Sequence, residues 1–97
     1  MDEKKHIDLI EYCNENNIEF LSSVFSIPDA ELLKKVNVKK VKIPSFESRN
    51  LDLIRYCDQN FDEIFISIGT SKYEEALKSI KVVKTAKISV MYYLSLQ

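Results

Sequence analysis

The chain has 97 residues, of which 45% are hydrophobic and 30% are charged, and its formal net charge is −1. Such a length predicts one small domain, and the composition is typical of a globular protein rather than a disordered one. The near-zero charge argues against nucleic-acid binding. Short apolar runs and the lack of a secretory leader argue against a membrane span and predict a cytoplasmic location.

The first half of the chain predicts two helices, each followed by a strand. Residues 5–16 repeat apolar side chains at helical spacing, and the asparagine-rich segment 14–17 predicts the end of this helix. The segment IEFLSSVF at 18–25 is mostly apolar, which is typical of a strand buried on both faces. Pro28 suits the first turn of a second helix, DAELLKKV, and KKVKIP at 39–44 predicts the second strand.

The second half of the chain repeats this alternation. Asn50 predicts the N-cap of a helix, LDLIRYCDQ, and residues 63–69 predict a third strand. Ser71 and Glu74 match the S-x-x-E capping box before the helix EEALKSIKVV, and AKISVMYYLSL predicts the fourth strand. Because the chain has one glycine, we expect most of its turns to be built from Asn, Ser and Asp.

Strict alternation of helices and strands predicts a parallel sheet with right-handed crossovers and covering helices. A closed TIM barrel needs roughly 250 residues, so we expect one α/β domain over residues 1–97 that forms a half-barrel of four parallel strands. A flatter, flavodoxin-like sheet is the alternative. Two exposed sheet edges would favour self-association or pairing with another chain.

The cysteines and the histidine of the chain predict no metal site. Cys13 and Cys57 form no C-x-x-C pair and fall on apolar helix faces, so we interpret them as reduced core thiols. His6 is the only histidine and lies beside two lysines, which is typical of a solvated residue.

Polar side chains cluster where the predicted strands end. Lys42, Ser45 and Glu47 follow one another at the end of the second strand, and Ser23 and Ser67 lie near the ends of the first and third. In parallel α/β folds ligands bind at this edge, and a lysine with several hydroxyls suits a phosphate or carboxylate. The same residues are also common in solvated loops, so their spacing alone leaves both interpretations open.

Four segments in register resemble the sialic acid synthase family, which makes N-acetylneuraminate, legionaminate and pseudaminate. IEFLSSVFS is similar to the family's F-x-S-T-P-F strand, and VKIPSFES to its K-I-x-S-G-E strand. IFISIGTSKYEEALKSI resembles I-L-S-T-G-M-(S/A)-T-x-E-E-I, and ISVMYYLSL resembles L-L-H-C-x-S-x-Y-P. The resemblance implies a TIM-barrel enzyme that condenses phosphoenolpyruvate with an N-acetylated hexose, using a divalent metal such as Mn or Mg.

The resemblance also implies roles for individual residues. Glu47 matches a carboxylate near the reacting carbonyl of the acceptor sugar, which makes it the candidate catalytic residue. The candidate substrate-binding residues fall on phosphoenolpyruvate-binding or neighbouring polar positions of the family: Ser23, Lys42, Ser45, Ser67 and Ser95.

The chain departs from the family pattern at several site positions. Phe46 replaces the glycine between Ser45 and Glu47, so we expect its side chain to crowd the site or to require a different backbone angle. Other departures are Val24 for Pro, Ile68 for Thr, Thr70 for Met, and Tyr92 and Tyr93 for His and Cys.

By the resemblance, the chain corresponds to the third through sixth strands of the family's barrel. The family's metal-binding histidines come from a later strand, so the resemblance implies no cofactor in this chain and no synthase activity from it alone. Three interpretations follow: a fragment of a synthase, an anion-binding module without catalysis, or a structural partner of a full-length synthase that pairs through its sheet edges.

Overall fold

The computed structural model describes residues 3–68 and 73–92. These residues alternate helices with strands, and a short 3₁₀ turn follows the second strand. In chain order the elements are α1 (Glu3–Glu15), β1 (Ser22–Ser23), α2 (Ile27–Lys35), β2 (Lys40–Ile43), the 3₁₀ turn (Ser45–Glu47), α3 (Leu51–Asn60), β3 (Glu63–Ile68), α4 (Tyr73–Val82) and β4 (Lys87–Tyr92).

The four strands form one parallel sheet in the order β1-β2-β3-β4. The helix α3 contacts α2 on one side and α4 on the other, so the helices form a single layer over one face of the sheet. Sequential order with one helical layer is the arrangement of a barrel segment. The prediction of a partial α/β barrel is therefore confirmed. The flavodoxin-like alternative is wrong, because that fold has a non-sequential strand order.

Side chains of Ser and Asn define the ends of the helices. Ser26 Oγ accepts a hydrogen bond from the Asp29 backbone N–H at 3.3 Å and caps α2. Asn50 caps α3, as predicted from the sequence. After α1 and α2 the chain turns through Asn17 and Asn37, which have φ angles of 56° and 64°. Asparagine tolerates this left-handed conformation better than most residues, which explains turns made without glycine.

The hydrophobic core lies between the sheet and the helices. Four strand residues point toward the helical layer and have no exposed surface: Val41, Ile43, Ile64 and Ile66. They pack with the buried side of α3, which contributes Leu53, Ile54 and Cys57. Each βα unit thus buries its own strand against its own crossover helix.

The first strand is shorter and more exposed than the sequence predicts. Of the predicted strand at 18–25, only Ser22 and Ser23 pair with β2. Ile18, Leu21 and Phe25 remain exposed, so the prediction of burial on both faces is wrong here. The physical reason is position, because β1 is an edge strand and only one face of the sheet carries helices.

The prediction of buried, reduced cysteines is confirmed. Cys13 and Cys57 are buried and free, and burial raises the pKa of the Cys57 thiol to about 12. His6 is partly exposed and lines an open crevice beside Ser22 and Ser23. Among the described helices, none is long and apolar enough to cross a membrane. The predicted capping box at Ser71 lies outside the described residues.

Candidate functional site

The structure brings three of the predicted site residues to the same face of the sheet. Ser23 is the partner of Lys42 in the β1–β2 register, and Lys42 is the partner of Phe65 in β3. Ser67 lies two residues beyond Phe65 and therefore on the same face, since strand side chains alternate. This face is opposite the helices and corresponds to the interior of a barrel. We call it the inner face.

The 3₁₀ turn holds Ser45 and Glu47 directly after β2. The Glu47 backbone N–H donates to the Pro44 carbonyl at 2.9 Å, and the Ser48 N–H donates to the Ser45 carbonyl at 3.2 Å. The buried Ser48 hydroxyl also donates to the Ser45 carbonyl at 2.7 Å. These bonds close the turn on itself, so Ser45 and Glu47 have defined positions at the carboxyl end of the strand.

The candidate catalytic residue Glu47 is tied to the start of α3. Asn50 Nδ2 donates to Glu47 Oε2 at 3.1 Å, while Asn50 Oδ1 accepts from the Leu53 N–H at 3.2 Å. The N-cap of α3 thus orients the carboxylate. A half-buried carboxylate held in this way could accept a hydrogen bond from a sugar hydroxyl or exchange a proton.

The two lysines of β2 differ in their electrostatic surroundings. Lys40 Nζ lies 2.8 Å from Glu19 Oε1 and 3.6 Å from Glu63 Oε1. Lys42 points to the same face, and none of the described carboxylates lies within 4.0 Å of its ammonium group. The half-buried Lys42 is therefore the cation that an anionic ligand could neutralise.

Phe46 does not strain the turn that contains it. Among the described residues only Asn17 and Asn37 have positive φ, so Phe46 has a backbone conformation that is open to any residue. Its ring is 72% exposed and stacks on Phe25, with centroids 5.6 Å apart and planes 23° from parallel. This aromatic pair lies where β1 and β2 end, beside the candidate site.

The described residues do not fit the divalent ion used by the family that the chain resembles. No cluster of three His, Cys, Asp or Glu side chains that could hold a metal occurs in residues 3–68 and 73–92. The remaining candidate, Ser95, lies outside the described residues.

Sequence reasoning missed the most strongly bound carboxylate of the described structure. Asp58 on α3 is buried and accepts backbone N–H bonds from Lys84, Thr85 and Ala86 at 3.1, 2.9 and 2.8 Å. Burial opposes its ionisation, yet these three bonds hold the pKa of Asp58 below its ordinary value. One feature of the sequence could have indicated this role, because Asp58 is an acidic residue that lies beside Cys57 on the apolar stripe of α3. Its role is structural, since it fixes the loop before β4.

Comparisons with known proteins agree with this fold. The chain is similar to the N-acetylneuraminic acid (sialic acid) synthetase of Leptospira borgpetersenii serovar Hardjo-bovis, whose crystal structure was determined in complex with citrate. The TM-score is 0.90 at 22% sequence identity. The likeness covers 99% of this chain and 34% of the synthetase, so the chain spans about a third of that protein's length.

Sequence comparison identifies the family. A search of the curated proteins gives no match. The family model of the NeuB family, however, matches residues 1–95, which is nearly the whole chain. The chain therefore belongs to the NeuB family.

Proposed function

We propose that the chain is the phosphoenolpyruvate-binding part of a sialic acid synthase barrel, and that it does not catalyse the condensation by itself. Lys42 carries this proposal, because its ammonium group lies on the inner face without a described carboxylate partner. Family membership and the synthetase-like fold support the choice of substrate class.

The chemistry of phosphoenolpyruvate suits this group of side chains. Its phosphate and carboxylate are both anionic, so Lys42 would supply a point charge while Ser45 and Ser67 donate hydrogen bonds. Ser23 lies beside Lys42 in the sheet register and could add a further hydroxyl. Ser95, which lies outside the described residues, is a further candidate by the resemblance. Glu47 would then contact the N-acetylated hexose.

The same proposal predicts that the chain alone does not catalyse the condensation. In the family a divalent metal activates the acceptor carbonyl, and the described residues offer no donor set for that ion. We propose that residues 1–97 correspond to strands three to six of the family's barrel. A cytoplasmic location belongs to the proposal too, because phosphoenolpyruvate is a metabolite of that compartment.

A second candidate is a general phosphate- or carboxylate-binding module without catalysis. The intact Lys42, Ser45 and Glu47 turn favours it, because this turn can bind an anion without the rest of a synthase. The related synthetase was crystallised with citrate, which is a tricarboxylate. The two candidates differ in ligand preference, since a module of this kind would not distinguish phosphoenolpyruvate from simpler anions.

Titration of the ¹⁵N-labelled chain with phosphoenolpyruvate, followed by amide NMR, tests the proposal. We expect the amide signals of Lys42, Ser45 and Ser67 to shift in the wild type, and those of Ser45 and Ser67 to stay fixed in Lys42→Ala. Lys81→Ala is the matched control, because Lys81 is an exposed lysine of α4 with no ion pair among the described residues. The control should retain the shifts, and both variants should unfold within about 0.5 kcal/mol of the wild type.

The outcomes separate the candidates. Tighter binding of phosphoenolpyruvate than of inorganic phosphate or citrate supports the synthase-derived site. Equal binding of the three ligands favours the general anion module. A wild type that does not respond, or a Lys42→Ala variant that responds equally, contradicts both.

A further inference from the structure

A crevice lined by basic side chains lies in the helical layer, between α3 and α4. Its volume is about 340 Å³, and its charged residues are Arg55 and Asp58 of α3, Lys78 and Lys81 of α4, and Lys84 of the loop before β4. Both walls belong to described helices that follow one another in the chain, so this lining does not depend on the edges of the sheet. We call it the basic crevice.

Most cations of the basic crevice have no acidic partner. None of the described carboxylates lies within 4.0 Å of the ammonium groups of Lys78, Lys81 and Lys84. Arg55 pairs with Asp52 at 3.2 Å, but the two side chains are 56% and 83% exposed. An ion pair as exposed as this contributes little to stability, so Arg55 remains available to an anionic ligand.

The acidic residue of the lining, Asp58, is bonded to the backbone rather than to the lysine side chains. Its two oxygens accept hydrogen bonds from the N–H groups of Lys84, Thr85 and Ala86. These bonds fix the loop and thereby hold Lys84 beside the two helices. A single carboxylate leaves the lining positive, although the chain as a whole has a net charge of −1.

The helix dipoles do not account for this group of cations. A cation in the last turn of a helix offsets the partial negative charge of its carboxyl end, which explains Lys81. Arg55 and Lys78, however, lie in the middle of α3 and α4. Lys78 and Lys81 are three residues apart on one side of α4, where like charges repel each other. The grouping therefore lowers stability unless an anion offsets it.

We propose that the basic crevice binds a compact anion with two or more negative charges, of the inorganic diphosphate class. Arg55 would contact its oxygens from one wall, Lys78 and Lys81 from the other, and Lys84 from the loop. The volume lies at the lower end of the range for small-molecule sites, which favours a compact ligand over an extended acidic segment. The sheet separates the basic crevice from Lys42 on the inner face, so this inference goes beyond the proposed function and either can fail alone.

Titration of the ¹⁵N-labelled 97-residue chain with inorganic pyrophosphate, followed by amide NMR, tests the proposal. We expect saturable shifts of the Gln59, Lys81 and Lys84 signals. Binding should be about ten-fold tighter than that of inorganic phosphate, because two phosphate groups reach more of the cations. Raising the NaCl concentration from about 20 mM to about 200 mM should weaken binding about ten-fold, because salt screens exposed charges. The signals of Ser45 and Ser67 report separately on the inner face.

Double variants with the same change of charge locate the binding site. Lys78→Gln together with Lys81→Gln should raise the pyrophosphate dissociation constant about ten-fold or more, because two of the cations are lost. Lys34→Gln together with Lys39→Gln is the matched control, since both are exposed lysines outside the crevice with no ion pair among the described residues. The control should bind as the wild type does. Lys78→Arg together with Lys81→Arg keeps the charge and should retain binding, and circular dichroism verifies that each variant is folded.

Several results would overturn the proposal. One is a wild type in which the signals around the basic crevice do not shift, including one that binds an oligoglutamate peptide there but not pyrophosphate. Others are equal binding of phosphate and pyrophosphate, and equal weakening in the two pairs of Lys→Gln substitutions. Loss of the crevice shifts in Lys42→Ala would also contradict it, because that result assigns them to the inner face.

Discussion

The two faces of the sheet are built from the same strands, yet they are covered very differently. On the helix-covered face, Ile43 and Ile66 are paired in register and fully buried. On the inner face, their sequence neighbours Lys42, Phe65 and Ser67 are half-buried. One residue along a strand therefore separates a close-packed core from an open polar surface, because strand side chains alternate between faces.

This difference shows which parts of a barrel a short chain can complete. Each strand is covered on its outer side by the helix that follows or precedes it in sequence, so local units suffice to build that side. The interior of a barrel is filled by side chains from strands on opposite sides of the ring. In the described residues the inner face accordingly carries polar groups that tolerate water, such as Lys42 and Ser67.

The largest effect should come from removing a core side chain. We expect Ile66→Ala to lower the free energy of unfolding by about 2–4 kcal/mol, because the fully buried residue would leave a cavity. The adjacent Ser67→Ala on the inner face should cost less than about 0.5 kcal/mol. Urea unfolding monitored by circular dichroism measures both, and equal costs would contradict the contrast between the faces.

A smaller effect should follow from Asp58, the buried charge in the helical layer. Asp58→Asn would replace an oxygen acceptor with an amide donor facing the backbone N–H groups of residues 84–86, so we expect a loss of about 2–3 kcal/mol. Asp52→Asn is the matched control, because the Asp52 side chain is 83% exposed and pairs only with Arg55 among the described residues. A loss as large in the control would refute a special role for Asp58.

The smallest effect concerns the response to acid. The pKa of Asp58 is lower in the folded chain than its ordinary value of 3.8. Its contribution to the free energy of unfolding is therefore complete above about pH 3.8. The contribution should be lost as pH falls through the lower, folded pKa. Between pH 5 and pH 2 the free energy of unfolding should therefore fall more steeply in the wild type than in Asp58→Asn. Parallel curves would show that this carboxylate does not respond in that range.

Local features of the sequence predicted much of the fold. The cap at Asn50 and the stripe of Ile54 and Cys57 predicted α3, because capping and helical periodicity depend on residues only a few positions apart. The boundaries of β1 could not be predicted in this way. IEFLSSVF has strand-like composition, but the extent of pairing depends on a neighbouring strand, and only Ser22 and Ser23 pair with β2.

The candidate site was predictable in part for the same reason. The turn after β2 follows from the short segment around Ser45, and the structure does place it at the end of a strand beside Ser23 and Lys42. The stacking of Phe46 on Phe25 joins residues from two different strand ends, and it was not visible in the sequence. The bonds of Asp58 to a loop 26 to 28 residues away were equally hidden.

By itself, the sequence determined the order of helices and strands, the helix caps and the membership of the NeuB family, since these depend on local pattern. Only the tertiary structure decided which charges meet. Lys40 and Lys42 are chemically identical and two residues apart, yet one is bound by Glu19 and Glu63 while the other has no described carboxylate partner. The physical reason is that partners across a parallel sheet come from distant segments, and the register of the strands selects them.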